Sequence, residues 1–256
     1  PAVIAEPAAI AEPAQPASAA VPALPSISEP GPQTFAFTLE KQPASVNADD
    51  GTPLLEGYFT LPVVTLTNQA AQTAINRHFE EEKRDFDEDF AEYANDARDL
   101  LSMRGGEDFP TFGYTVDYTA ARIDGAVASF IMDSYAFLGG AHGTATREGV
   151  TFDLATGRDL AWEDLVTGTE DEAERFVLSY LKTALQQPAY ADLGLFDDYE
   201  QYLPDIVDED ECFYLCDEGV AVIINDSYIA SHAAGLIEVV IPYADFTILK
   251  PEYLPQ

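Results

Sequence analysis

Between Asn68 and Arg104 the residues Ala71, Ile75, Phe79, Phe86, Phe90, Tyr93, Ala97 and Leu101 recur at steps of three, four or seven. Only an α-helix, at 3.6 residues per turn, brings such a series onto one stripe. The opposite face carries the charges of "EEEKRDFDED" and reads as solvated surface. Asn68 is placed to cap the first turn, and Gly105-Gly106 to end the last. At 1.5 Å per residue the helix is about 55 Å long, so a bend or break within it is predicted. A stripe of that length needs a broad apolar surface to cover it.

The flanking sequence supplies strands. "TFAFTLEKQ" alternates Phe35, Phe37 and Leu39 on one face, the pattern of a half-buried strand. "LLEGYFTLPVVTL" is a second strand region, and Pro62 within it points to an edge or a bulge. After Phe109, "FGYTVDYTAARI", "AVASFIMDSYAFL" and "GTATREGVTFDL" read as consecutive antiparallel strands. Asp124-Gly125 signals a two-residue hairpin turn, and "DLATGRDL" a second turn with Gly157 supplying the permissive φ. A helix follows from about Glu170 to Gln187, then an acidic, irregular stretch with a short helix near "FDDYEQYL". Two strands turn at Asp217-Glu218-Gly219, and "LIEVVIPY" is a last, buried strand. The predicted class is α+β: an antiparallel sheet packed with a long helix and shorter helices.

Residues 1–32 are a different material, with eight prolines among Ala, Ser and Glu and "AEPA" repeated at Ala5 to Ala8 and Ala11 to Ala14. Proline fixes φ and lacks an N–H, so this tract reads as a semi-extended, disordered tether. The organisation expected is therefore a tether at 1–32, an N-terminal module of two strand regions and the long helix at 33–108, and a C-terminal α+β module at 109–256. The two modules are expected to pack as one unit. No run of residues is long and apolar enough for a membrane-spanning helix. Membrane contact is expected only through an anchor preceding Pro1.

The formal net charge is −34, from 46 acidic and 12 basic residues. This excludes nucleic acid and anionic membrane surfaces as expected partners, because phosphate binding needs clustered Lys and Arg. It favours a cationic partner, such as a basic protein or a divalent metal, or else serves solubility alone. The two cysteines, Cys212 and Cys216, would lie about 13 Å apart on an extended strand at ~3.3 Å per residue, beyond disulfide reach. A bulge or a helical turn would bring them within it.

Candidate chemistry concentrates in Gly139-Gly140-Ala141-His142-Gly143, which holds one of the three histidines. His142 reads either as a general base or metal ligand, or as part of a tight turn. In the second reading the glycines permit positive φ and the imidazole bonds a backbone carbonyl. The sequence favours the second. His232, in "IASHAAG", is the other candidate, and His78 reads as packed on the apolar side of the long helix. His142 and His232 with Asp133 or Asp226 have suitable types for zinc, but no tight ligand spacing such as His-x-x-x-His supports it. Neither a metal nor a cofactor is predicted. "DEDE" at Asp208 to Glu211 lacks the glycine and the final glutamate of an EF-hand. With so many acidic residues, a glycosidase-like carboxylate pair is permitted anywhere and indicated nowhere. Catalytic fingerprints such as Gly-x-Ser-x-Gly, the P-loop and the dinucleotide-binding glycines are missing from the sequence. Tyr135, Phe137, Tyr199, Tyr202, Tyr214 and Tyr228 invite comparison with a sugar-binding platform, although strand aromatics more often fill cores.

Four stretches together resemble a known family: "YAFLGGAHG" (Tyr135 to Gly143), "TFDLATGRDLAWEDLV" (Thr151 to Val166), "FYLCDEGVAVIIN" (Phe213 to Asn225) and "YIASHAAGLIEVVIPYADF" (Tyr228 to Phe246). The family is the extracytoplasmic domain of unknown function found in the lysozyme-sensing anti-sigma factor RsiV. A related module precedes the catalytic domain of the peptidoglycan deacetylase PdaC. Residues 33 to 104 look like the companion module upstream, so the resemblance covers roughly residues 33 to 248. It implies an envelope-facing α+β domain that binds or senses a ligand outside the membrane, either a basic lysozyme-like protein or a cell-wall glycan. Tyr135, Gly139, Gly140, His142, Gly143 and His232 form its candidate ligand-binding or structural motif. Neither a transmembrane helix with a sigma-binding segment nor a deacetylase domain lies within these residues, so anti-sigma and deacetylase activity do not carry over. The alternative is a cell-wall polysaccharide hydrolase or transferase with His142 near its centre.

Overall fold

The structure, a computed structural model, describes residues 34–105, 109–209 and 211–255. The expected tether at 1–32 lies outside the described residues, as do Gly106 and Asp210. Strand β1 (Phe35–Asn47) and strand β2 (Pro53–Leu66) form a long antiparallel pair in which Leu39 faces Pro62. Helix α1 (Gln69–Arg104) follows, then β3 (Phe112–Ile123), β4 (Val127–Phe137) and β5 (Thr144–Asp153). These five strands make one sheet in sequence order, antiparallel except where β2 meets β3. That pair is parallel because α1 carries the chain back to the starting end, as a crossover between parallel strands must. The parallel ladder covers only Leu55 to Phe59 of β2. Pro62 falls beyond it, where one side of the strand has no ladder to break.

The predicted stripe of α1 is the buried one. Ala71, Ile75, Phe79, Phe86, Phe90, Ala94 and Ala97 face the sheet, and the helix runs unbroken over 36 residues. The expected break is not there, since the apolar stripe stays covered from Ala71 to Ala97. Asn68 Oδ1 accepts from the backbone N–H groups of Ala70 and Ala71, and Gly105 N–H returns to the Leu101 carbonyl. Phe79 lies at the centre of this core, with its ring edge-on to Tyr118, Phe130 and Phe152 at centroid distances of 5.3–5.4 Å. Edge-to-face aromatic pairs of this kind add about 0.5–1.5 kcal/mol each beyond area burial.

The turn between β3 and β4 differs from the sequence expectation. It spans Asp124-Gly125-Ala126, and Gly125 has no positive φ. The Asp124 carboxylate closes it by accepting from the N–H groups of Ala126 and Val127, and the buried Arg122 guanidinium pairs with the same carboxylate. The turn after β5 is as expected: Gly157 has φ 76° and passes so close to the start of α1 that a Cβ there would sit 2.5 Å from the Ala71 carbonyl oxygen.

The remaining chain builds a second layer. Helices α2 (Trp162–Leu165), α3 (Glu170–Ala184) and α4 (Leu203–Val207) pack against a three-stranded antiparallel sheet of β6 (Phe213–Leu215), β7 (Gly219–Ile224) and β8 (Ile237–Pro242). Thr169 and Glu172 form a reciprocal capping box at the start of α3. The core of this layer is centred on Trp162, Phe213 and Phe246, and the Trp162 Nε1–H donates to the Val207 carbonyl. The single sheet expected from the sequence is thus two sheets. Cys212 and Cys216 flank the extended β6 and are both free thiols.

The two sheets meet along β5. Gly149 N–H donates to the Glu211 carbonyl at 2.8 Å, and a Cβ on Gly149 would lie 1.9 Å from the Phe213 carbonyl oxygen. Two residues earlier, the Asn225 side chain accepts from Arg147 N–H and donates to Arg147 C=O, replacing a missing strand partner. Further along, the buried Ser129 hydroxyl accepts from Leu215 N–H and bonds Thr151.

Candidate functional site

The Gly139–Gly143 motif forms the turn between β4 and β5. Gly139 has φ 77° and sits where a Cβ would press on the Phe112 ring at 2.8 Å; Gly140 needs no unusual conformation. Gly143 lies against the face of Tyr135, where a Cβ would come within 2.3 Å of the ring. His142 is exposed, and its Nδ1 is 3.1 Å from the Gly143 carbonyl.

The structure brings the two candidate histidines together. The rings of His142 and His232 stack with centroids 4.0 Å apart and planes 22° from parallel. His232 Nδ1 is hydrogen-bonded to the carboxylate of Asp226, whose side chain is almost fully buried. Asp226 is therefore the carboxylate that joins the pair. Asp133 is held elsewhere, in a bidentate pair with Arg147 at 2.7 and 2.9 Å, and Arg147 also meets Glu238 at 3.1 Å. Those carboxylates hold the Arg147 guanidinium protonated far above neutral pH. Among the described residues, no group of three His, Cys, Asp or Glu side chains is arranged to hold a metal ion. Of the candidate aromatics, Tyr214 is buried with its hydroxyl on Glu238, while Tyr135, Tyr202 and Tyr228 are exposed.

A second site, which the sequence did not single out, lies on the seam between the sheets. A cavity of about 230 Å³ opens between α1, β5 and the start of β6. Its apolar wall includes Tyr118, Met132, Val150, Leu160 and Phe213. Glu82 on α1, Glu148 on β5 and Glu211 before β6 lie on its polar wall, together with Asp159, Glu163 and the paired Arg158 and Asp164. Glu148 has no hydrogen-bond or ion-pair partner among the described residues; it is surrounded instead by the like charges of Glu211, Glu82 and Glu209. Burial, followed by those charges, pushes its carboxyl up to about 7. Burial, with the charges of Asp85, Glu211 and Glu81, also raises the Glu82 carboxyl above its ordinary range.

His78, on the same wall, packs edge-on against Phe79 and Phe152, and burial lowers its pKa. It is the packed histidine expected from the sequence, and it adds little positive charge to the cavity. The other cation, Arg158, is already held bidentately by Asp164 at 2.6 Å. A second cavity of about 250 Å³ shares Glu148 and Glu211 with the first and reaches Asp226 and Tyr228. The seam is thus bordered by carboxylates from the long helix to the histidine pair.

Sequence periodicity could not find Glu148, because a polar residue every second position is what a half-exposed strand requires. The one available signal was Gly149 beside it. A glycine inside a strand marks a close backbone approach, and that approach is what buries its neighbour.

The architecture is a mixed α+β domain with the fold of two solved structures from the DUF3298 family. One, from Bacteroides fragilis, superposes with a TM-score of 0.66 at 18% sequence identity, covering 86% of this chain and 96% of that chain. The other, from Pseudomonas aeruginosa, gives a TM-score of 0.54 at 16% identity, covering 89% of this chain and 98% of that one. Residues 50–145 match the family model described as deacetylase PdaC. That segment runs from the turn before β2 into the start of β5, and includes both Glu82 and the Gly139–Gly143 turn. No curated protein matches the chain. No helix among the described residues is long and apolar enough to cross a membrane.

Proposed function

We propose that this protein is a non-enzymatic, extracytoplasmic binding or sensing domain whose ligand is a basic cell-envelope protein of the lysozyme type. One observation carries the reading: at the cavity between the sheets Glu148 and Glu211 have no cation partner among the described residues, and Glu82 has only His78 at 4.0 Å, whose burial disfavours its charged form. Coulombic repulsion among Glu82, Glu148 and Glu211 is relieved only by protonation or by a positive charge brought from outside. The net charge of −34 extends that preference over the whole surface and would steer a cationic partner toward it. The extracytoplasmic location draws support from the match of residues 50–145 to the deacetylase PdaC model, a type of domain that is typically extracellular. A cell-wall glycan is the weaker choice of ligand, since the apolar wall is small and the exposed tyrosines lie outside this cavity.

The competing reading is a cell-wall hydrolase or transferase centred on His142. It draws on the Asp226–His232–His142 cluster, in which a buried carboxylate orients an imidazole as a general base requires. The hydroxyl bonded to this cluster, that of Ser227, donates to the Asp226 carboxylate at 3.0 Å and not to either imidazole. The two thiols are poor nucleophiles, burial pushing Cys212 up to about 12 and raising Cys216 as well. The deacetylase activity in the family model's name is not proposed for this chain.

The test is a titration against a basic lysozyme at about 0.02 M and about 0.5 M salt. Binding at low salt that weakens at least tenfold at high salt is expected, because the Debye length shrinks several-fold over that range. Absence of binding at low salt removes the basic-protein reading, and binding unaffected by salt removes its electrostatic basis.

A further inference from the structure

We propose that His142 and His232 form a pH-sensitive latch that holds two walls of the second cavity together, closed while either imidazole is neutral and open when both are protonated. The inference does not depend on the ligand proposed above.

The two walls are chain segments: Thr144 to Arg147 at the start of β5, and Asn225, Asp226 and Tyr228 after β7. They are joined at two points. At one, the Asn225 side chain bonds the backbone N–H and C=O of Arg147 at 2.8 and 3.0 Å. An amide does not titrate in this range, so this joint is a fixed hinge. At the other, the ring of His142, two residues before Thr144, stacks on the ring of His232. His232 is bonded in turn to the Asp226 carboxylate. This second joint is made entirely of titratable groups.

The charges at the stack set the direction of the switch. The Asp226 side chain is 8% exposed and also accepts from the Ser227 hydroxyl. That one carboxylate balances one proton on the pair. The first proton, taken up by His232, completes an ion pair and leaves an imidazolium against a neutral ring. The second goes to Nε2 of His142, whose Nδ1 lies at the Gly143 carbonyl, and it has no counter-charge. Two like charges on rings 4.0 Å apart repel. Because His142 is exposed, its ring moves into water with little loss of buried surface. Opening therefore takes up a proton, and lowering the pH through the range where histidines charge drives it.

The other titratable or charged groups around the stack do not hold it. Tyr135 on β4 lies against Gly143, and Arg147 on β5 is engaged by Asp133 and Glu238. Tyr228, Glu148, Glu209 and Glu211 line the cavity. Among the described residues, only Asp226 pairs with either ring. The chain between hinge and latch is under strain in the closed state: Ser227 has φ 67°, a left-handed conformation that is costly for a residue with a side chain. Release of His232 frees Ser227 to leave it.

The experiment uses the full chain at about pH 7.5 and about pH 5, on either side of the ordinary histidine range, with two readouts. Nuclear Overhauser contacts between the ring protons of His142 and His232 should be present at the higher pH and at least fivefold weaker at the lower. Cys212 lines the cavity and is 5% exposed. Its reaction with a small dipyridyl disulfide, resolved from that of Cys216 by mass spectrometry, reports access to the cavity. His142→Phe keeps a ring on His232 and cannot take up the second proton. At the lower pH, Cys212 of the unchanged protein should react at least fivefold faster than Cys212 of His142→Phe; at the higher pH the two should react alike. Comparing the proteins at one pH cancels the titration of the thiol and of the carboxylates. The Arg147 amide should stay protected from exchange in both proteins at both pH values, which shows that hinge and fold persist. A ring contact that survives at the lower pH, or is missing at the higher, overturns the proposal. So do equal Cys212 rates in the two proteins at the lower pH, which would assign any opening to the carboxylates of the seam. Loss of Arg147 protection at the lower pH overturns it as well, since acid would then loosen the domain and not a latch.

Discussion

Replacing Glu148 by Gln removes a carboxyl that folding forces into an unfavourable place, and its effect on stability has a definite pH window. In the unfolded chain this carboxyl titrates near its ordinary value of 4.5, and in the folded protein at about 7. Below pH 4.5 both states hold the proton and the group contributes nothing. Between pH 4.5 and 7 the folded state keeps a proton that the unfolded state has lost, so stability falls as pH rises. Above 7 the folded state is ionised too and the full penalty is present. At about 1.4 kcal/mol for each tenfold change in proton affinity, the full linkage is ~3 kcal/mol. The side chain is partly open to solvent, and screening reduces this to about 1–2 kcal/mol. Glutamine keeps the shape without the charge. Glu148→Gln is therefore expected to raise Tm by roughly 3–6 °C at pH 8 for a domain of this size, with little change at pH 4.5. Thermal melts of both proteins at pH 4.5, 6, 7 and 8 measure this directly. The difference between the two curves isolates Glu148 from the many other carboxylates. A Tm difference constant across that range, or a destabilised variant at pH 8, would refute the assignment of burial and like charge as the cause.

Two further perturbations test other parts of the structure. Gly149→Ala places a methyl 1.9 Å from the Phe213 carbonyl oxygen, where backbone meets backbone and neither yields cheaply; a loss of about 2–4 kcal/mol is expected. A Tm within about 1 °C of the unchanged protein would show that the sheets do not meet as described. His142→Ala removes an exposed ring stacked on His232 and should cost under about 1 kcal/mol. Loss of activity on peptidoglycan fragments by this variant, with its melt intact, would instead establish the hydrolase reading. These join the salt-dependent lysozyme titration.

The sequence by itself determined the local elements. A helix stripe at spacing 3.6 and strands at spacing 2 are written in consecutive residues, and so are the Asn68 cap and the Gly157 turn. Each depends on neighbours a few positions away, so α1 and most strands lay close to where they were expected. The turn at Asp124 shows the limit of such reading. The chain does reverse there, but a carboxylate and a buried arginine close the turn, and the glycine does not. Tertiary structure alone decided what lies further apart in the chain: the parallel meeting of β2 and β3, the division of the strands into two sheets, and the contact of Gly149 with Phe213. It also turned two separate histidines into a stacked pair, Asp226 joining them in place of Asp133. Glu82, Glu148 and Glu211 come from a helix, a strand and a loop, and in a chain with 46 acidic residues nothing local marks them. A carboxyl's chemistry depends on how much water surrounds it and which charges lie within a few ångströms, and the fold settles both.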